Sequence, residues 1–215
     1  MSDLASLAPT RRGLLRGAAV AACTIAVPAL AAQPPYAESR PLVSPRIIRP
    51  ALLRDALAAM SRHEDRLAHR DRIAIADFNA PSSMPRFYLI DLASGDTTTF
   101  FVAHGNGSDP AHTGWVQRFS NTPGSNASSE GAFLTSDYYV GKHGRSQRLV
   151  GLDPTNDKAL ERAIVIHAAW YANPDMLRTH GQLGRSQGCF AVADGDLDQV
   201  FGRLGPGRML YSAKI

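Results

Sequence analysis

The chain has 215 residues, 44% hydrophobic and 20% charged, with 23 Lys and Arg against 19 Asp and Glu for a net charge of +4. That length suits one domain with a sizeable core, and the charged fraction is that of a globular protein rather than a disordered one. With no basic run outside the N-terminal arginines, the weak surplus gives no argument for a nucleic-acid partner, and two cysteines, Cys23 and Cys189, cannot form a disulfide scaffold.

Residues 1–31 read as an export signal of the twin-arginine type. Arg11, Arg12 and Arg16 precede a mildly apolar stretch from Gly17 to Val27, Pro28 breaks it, and Ala29-Leu30-Ala31 offers small residues to a signal peptidase. The apolar part is shorter than the roughly 20 residues needed to span a bilayer, so no stable membrane insertion is expected after cleavage. The expected location is periplasmic. Val20-Ala21-Ala22-Cys23 also resembles a lipoprotein box, but the apolar region before it is short, and Cys23 is expected to leave with the signal. Its removal takes three arginines and Asp3, and leaves a charge of 20 − 18 = +2. Cys189 is then the only thiol.

Residues 32–49 form a Pro-rich leader without a hydrophobic period. Pro50 opens an amphipathic helix in which Leu53, Leu57, Met60 and Leu67 recur at helical spacing, with His63 and His69 on the polar side. From Arg72 onward the pattern is that of strands. Ile73, Ile75 and Phe78 mark one, Arg86–Leu92 a second, and Ser94-Gly95-Asp96 turns into Thr97–Ala103, an antiparallel hairpin. Residues 104–131 are a long Gly/Ser/Asn/Pro loop, of the length that usually carries function, with Trp115, Val116 and Phe119 half-buried in it. Ala132–Val140 and Gln147–Leu152 are strands around a turn at Gly141–Gly144. Ala163–Ile166 is a short central strand that ends at His167. Asp194–Leu204 reads as a helix and Arg208–Ala213 as a closing strand. The fold class is mainly β with flanking helices (α+β), a single domain over 50–215.

The chemistry-bearing segment is Ile164–Val192. A lone exported thiol is either buried and inert or kept for its reactivity, and composition does not separate the two. Gly188 lets the chain turn sharply before Cys189, and the Gly188 and Cys189 amides are placed to receive an oxyanion. His167, mounted on a strand end, is a candidate general base for Cys189, which would raise its thiolate fraction. The Gly184–Gly188 segment, GRSQG, mimics a serine nucleophile elbow. That arrangement needs a histidine after the serine, and the last histidine here is His180, so Ser186 is not such a nucleophile. His167, His180 and Cys189 have no metal-ligand spacing, and no metal or cofactor is expected. His104 and His143 lie in Gly-flanked loops that could approach the cleft, although a structural loop role is the simpler reading of each.

Taken together, these residues resemble the L,D-transpeptidase catalytic domain family (YkuD-like), in its murein L,D-transpeptidase branch. The matching stretches are Val102–Ser108, Phe119–Ser125, Ser128-Ser129, Gly141–Gly144, Val165–Ala168 and Gly184–Cys189. The resemblance implies a mixed β-sheet sandwich, with Cys189 as nucleophile and His167 as base. It further implies that the Ala168 carbonyl orients the imidazole and that Gly188 and Ser186 shape the oxyanion site. Arg185, Gln187 and His104 are the implied substrate contacts, Arg185 for a carboxylate. Gln187 replaces the histidine usual before Gly-Cys, and it can hydrogen-bond but not titrate. The implied activity is cross-linking of peptidoglycan stem peptides with loss of D-alanine. An L,D-carboxypeptidase and a catalytically silent wall-binding module are the alternatives.

Overall fold

A computed structural model describes residues 48–215. The expected export signal, Cys23 and nearly all of the leader lie outside these residues. Eight strands form one mixed sheet: β1 (Arg72–Asp77), β2 (Phe87–Asp91), β3 (Thr97–Phe100), β4 (Gly131–Gly141), β5 (Gly144–Gly151), β6 (Val165–Ala168), β7 (Phe190–Val192) and β8 (Met209–Ala213). Their order is β3-β2-β1-β8-β4-β5-β6-β7, with β1–β8 and β6–β7 parallel and the other neighbours antiparallel. The fold class is therefore mainly β with a few helices. Just past β3, an isolated bridge from Ala103 to Ala191 ties that edge to β7, so the two sheet edges meet.

Period-two alternation explains how this sheet is covered on both faces. Ala74, Ala76, Phe87, Leu89, Phe133 and Leu210 point into one core with Phe78, Phe190 and Val192, while Ile73, Ile75, Tyr88, Ile90, Ala132 and Met209 point into another. The second core is covered by helix α1 (Pro50–Arg62), started by Pro50 at its first position. Its buried stripe is Leu52, Ala56 and Ala59, with Leu53 and Met60 only partly buried. The expected stripe was one residue off because small alanines, rather than leucines, let the helix settle close to the sheet. The helix also ends at Arg62, followed by a single 3-10 turn at Glu64–Arg66. Ile48 is 3% exposed in this core and Arg49 pairs with Asp77, so the folded body includes these two leader residues.

Helix α3 (Leu197–Leu204) closes the first core with Leu197, Val200, Phe201 and Leu204. A third, smaller cluster of Ala103, Ala169, Ala172, Leu183 and Ala191 packs the short helix α2 (Asp175–His180) and its flanks near β7. His63 is not a surface residue. Its Nε2 lies 2.8 Å from Asp153 Oδ1, and Asp153 also accepts the Ala132 amide, which fixes the end of α1 to the sheet.

Candidate active site

The site sits where β6 and β7 run parallel. Their register pairs His167 with Ala191 and Ile166 with Phe190, which puts position 189 opposite Val165. By strand alternation, residues 189 and 191 share a face with His167, so the thiol and the imidazole project to the same side of the sheet. Both line one cleft of about 470 Å³, whose wall also includes Tyr139, Lys142, His143, Arg162, Tyr171, Arg185 and Gln187.

The turn that presents Cys189 is rigid. Gly188 has φ +112°, and a Cβ there would stand 2.8 Å from both the Ala127 carbonyl oxygen and Ile164 Cδ1, so only glycine fits. Ser186 Oγ donates to the Cys189 carbonyl at 2.7 Å and accepts the Gly188 N–H at 3.1 Å. The Gly188 amide is consumed in holding the turn, whereas the Cys189 N–H meets no acceptor among the described residues.

His167 Nδ1 lies 2.8 Å from the Ala168 carbonyl oxygen. A carbonyl only accepts, so Nδ1 carries the proton and Nε2 keeps its lone pair. Burial pushes the His167 pKa below the ordinary value, the Ala168 bond opposes that, and nearby His143 and Lys142 lower it further. His143, from the β4–β5 turn, stacks on the His167 ring at 4.4 Å between centroids. The thiol is shifted the other way. Burial raises its pKa, and the Val165 backbone, Lys142 and Arg162 only partly offset this. The sulfur lies 3.5 Å from the Ala163 carbonyl, an acceptor that suits S–H rather than thiolate. Ala163 itself is held at φ 52°. No hydrogen bond joins Cys189 to His167 among the described residues. The resting pair is thus neutral thiol and neutral imidazole, contrary to the expectation of a raised thiolate fraction.

One implied substrate contact is placed differently. His104 is fully buried and does not line the cleft. Arg86 Nη2 donates to its Nδ1 at 2.7 Å, and its Nε2 lies 3.4 Å from Asp109 Oδ2, off the line of a hydrogen bond. Burial, then the neighbouring Arg86 charge, push the His104 pKa down to about 3. Arg185 does line the cleft, but its guanidinium donates to the Asp109 and Pro110 carbonyls. Gln187 is exposed at the rim. Sequence reasoning missed Arg86 altogether. It is wholly buried under Phe78 and donates to the Val102 and Ala80 carbonyls. The signal available was an arginine opening an otherwise apolar strand.

A family model described as the L,D-transpeptidase catalytic domain matches residues 45–212. The chain belongs to that family. Solved structures with detectable likeness include an L,D-transpeptidase from Mycobacterium smegmatis (10% identity, 66% of this chain and 58% of that one, TM-score 0.39). Others are L,D-transpeptidase 3 from Mycobacterium tuberculosis with a faropenem-derived adduct (11%, 67% and 60%, 0.43) and the helical cell shape determining protein Pgp2 from Campylobacter jejuni (13%, 78% and 57%, 0.42). The chain thus spans less than two thirds of the length of each of these proteins. No curated protein matches it. Within this L,D-transpeptidase domain, no three His, Cys, Asp or Glu side chains among the described residues are grouped to hold a metal, and no described helix is long and apolar enough to cross a membrane.

Proposed function

We propose that this chain is an exported cysteine L,D-transpeptidase that cross-links peptidoglycan stem peptides in the periplasm, with residues 1–31 as export signal, 32–49 as leader and 50–215 as catalytic domain. The observation that carries the reading is a cleft shared by Cys189 and His167, with the lone pair of His167 Nε2 left available by the Nδ1 bond to Ala168. Membership of a family that acts on peptidoglycan supplies the substrate class.

Because both groups rest neutral, the proton moves when the donor peptide is bound. His167 Nε2 takes the Cys189 proton as the sulfur attacks the carbonyl carbon of the L-centred residue before the terminal D-residue. The oxyanion is received by the Cys189 N–H. Collapse breaks the C–N bond, His167 returns its proton to the leaving D-alanine amine, and a thioester remains. An amine of a second stem then attacks the thioester carbonyl. His167 Nε2 takes a proton from that amine as the amide forms, the C–S bond breaks, and His167 passes the proton to the departing sulfur. Ser186 and Gly188 act by holding the turn, and Gln187 offers a hydrogen-bonding amide at the rim.

Purified protein incubated with tetrapeptide stems, followed by chromatography and mass spectrometry, tests this. Free D-alanine with cross-linked dimer is expected. D-alanine with tripeptide alone would make water the acceptor and the protein an L,D-carboxypeptidase. Unchanged tetrapeptide would leave only a wall-binding role.

A further inference from the structure

The cleft around Cys189 is lined by three cations, Lys142, Arg162 and Arg185, and by no carboxylate. Two of the three are already committed. Arg162 donates to the Ser120 and Ala127 carbonyls and to the Ser125 and Ser129 hydroxyls, and Arg185 donates to the Asp109 and Pro110 carbonyls. Lys142 differs. It stands exposed in the β4–β5 turn and makes no hydrogen bond or ion pair among the described residues. The turn that carries it is fixed over the site, since the flanking Gly141 and Gly144 are paired and His143 stacks on His167. The field of its ammonium reaches the cleft groups: it partly offsets the upward shift that burial gives Cys189, and it adds to the downward shifts that burial gives His143 and His167. An uncompensated, mobile-headed point charge at the mouth of an acid-free cleft attracts anions, and a lysine can follow a carboxylate without a fixed fork geometry.

We propose that Lys142, rather than Arg185, forms the carboxylate subsite of this cleft. It takes the free C-terminal carboxylate of the donor peptide, and so selects chains that end one residue beyond the bond presented to Cys189. The assignment rests on the reading of Cys189 as nucleophile.

Alkylation separates the two claims without needing the natural substrate. The rates at which iodoacetate and iodoacetamide modify Cys189 are measured on the full chain, with a small thiol as reference. Both reagents form the same kind of S–C bond and expel iodide, so any change in thiolate fraction cancels in their ratio. The wild-type ratio should favour iodoacetate relative to the reference thiol and fall with added salt. Lys142→Gln should lower the ratio about fivefold, the effect of one charge at close range in a partly solvated cleft, and Lys142→Arg should keep most of it. Lys142→Gln should likewise raise KM for a free-acid tetrapeptide more than for its C-terminal amide, so that the preference for the free acid falls. A Lys142→Gln ratio equal to wild type would overturn the subsite while leaving the nucleophile reading intact. A native Cys189 inert to both reagents would bring down the nucleophile reading and the subsite with it.

Discussion

Two clusters in this domain each set an imidazole beside a cation, and they differ in what the imidazole has left to offer. In the Arg86–His104–Asp109 cluster, one ring nitrogen accepts from the guanidinium and the other faces a carboxylate, with His104 and Asp109 wholly buried. In the Lys142–His143–His167–Cys189 cluster, one nitrogen of His167 is held by a carbonyl and the other has no protein partner among the described residues, in a cleft open to solvent. Burial lowers the pKa of both histidines. Desolvation favours the neutral form of both rings, and only His167, with an unengaged nitrogen facing a cleft, is placed to accept a proton. His104 is a bolt in the scaffold, held by Arg86 and packed against Asp109, whose carbonyl accepts from Arg185.

Cys189→Ser should eliminate acyl transfer, because a serine hydroxyl beside the same weak base is far harder to ionise. His167→Ala should cost about 10²–10⁴ in rate. Since the Cys189 pKa is raised, the residual activity of that variant should climb with pH and keep climbing above the ordinary thiol value of about 8.5. In urea melts Cys189→Ser should stay near wild type, and His167→Ala, which loses a buried ring and its Ala168 bond, should fall by about 1–2 kcal/mol, less than Arg86→Ala. Arg86→Ala should fall further. It strips a buried cation from the Val102 and Ala80 carbonyls and from the fields of Asp77 and Asp109, a loss of about 3–5 kcal/mol in stability.

His104→Asn is milder, about 1–3 kcal/mol at neutral pH, and it should alter the pH dependence of folding. A histidine with a folded pKa of about 3 is neutral when buried and takes up a proton on unfolding near pH 6.5. Its contribution is complete above about pH 6.5 and is lost as pH falls toward about 3, so the unfolding free energy of wild type should decline across that window and that of His104→Asn should decline less. An equal decline in both would show that His104 does not stay neutral in the folded state. The smallest effect concerns rate. With the His167 pKa lowered, the base form persists below pH 6.5, and the acid limb of kcat/KM should lie on the acidic side of that value.

Much of this scaffold is legible in sequence because burial imposes period two. Ile73 and Ile75, the hairpin around Gly95 and the turn at Gly141–Gly144 all announce themselves, and the observed strands fall where the alternation puts them. The three-residue strand β7 does not, since a run as short as Phe190–Val192 has no period to read. The positions of Cys189 and His167 are legible as residue types in a motif, but their alignment on one face depends on the parallel β6–β7 register, a non-local fact. His104 is legible only in part. A structural role is the simpler reading of a histidine in a Gly-rich loop, whereas the resemblance implies a substrate contact, and only the partners that enclose it, Arg86 and Asp109, place it in the core. The direction of the thiol shift was equally hidden, because desolvation by the closed turn outweighs the neighbouring cations.

The central claim is that Cys189 carries the acyl group. Intact-protein mass spectrometry within the first turnovers after mixing with a tetrapeptide stem tests it most directly. A mass gain equal to the tetrapeptide less one released D-alanine molecule, absent in Cys189→Ser and released by hydroxylamine, is the predicted result. D-alanine release with no adduct in wild type and undiminished turnover in Cys189→Ser would contradict it.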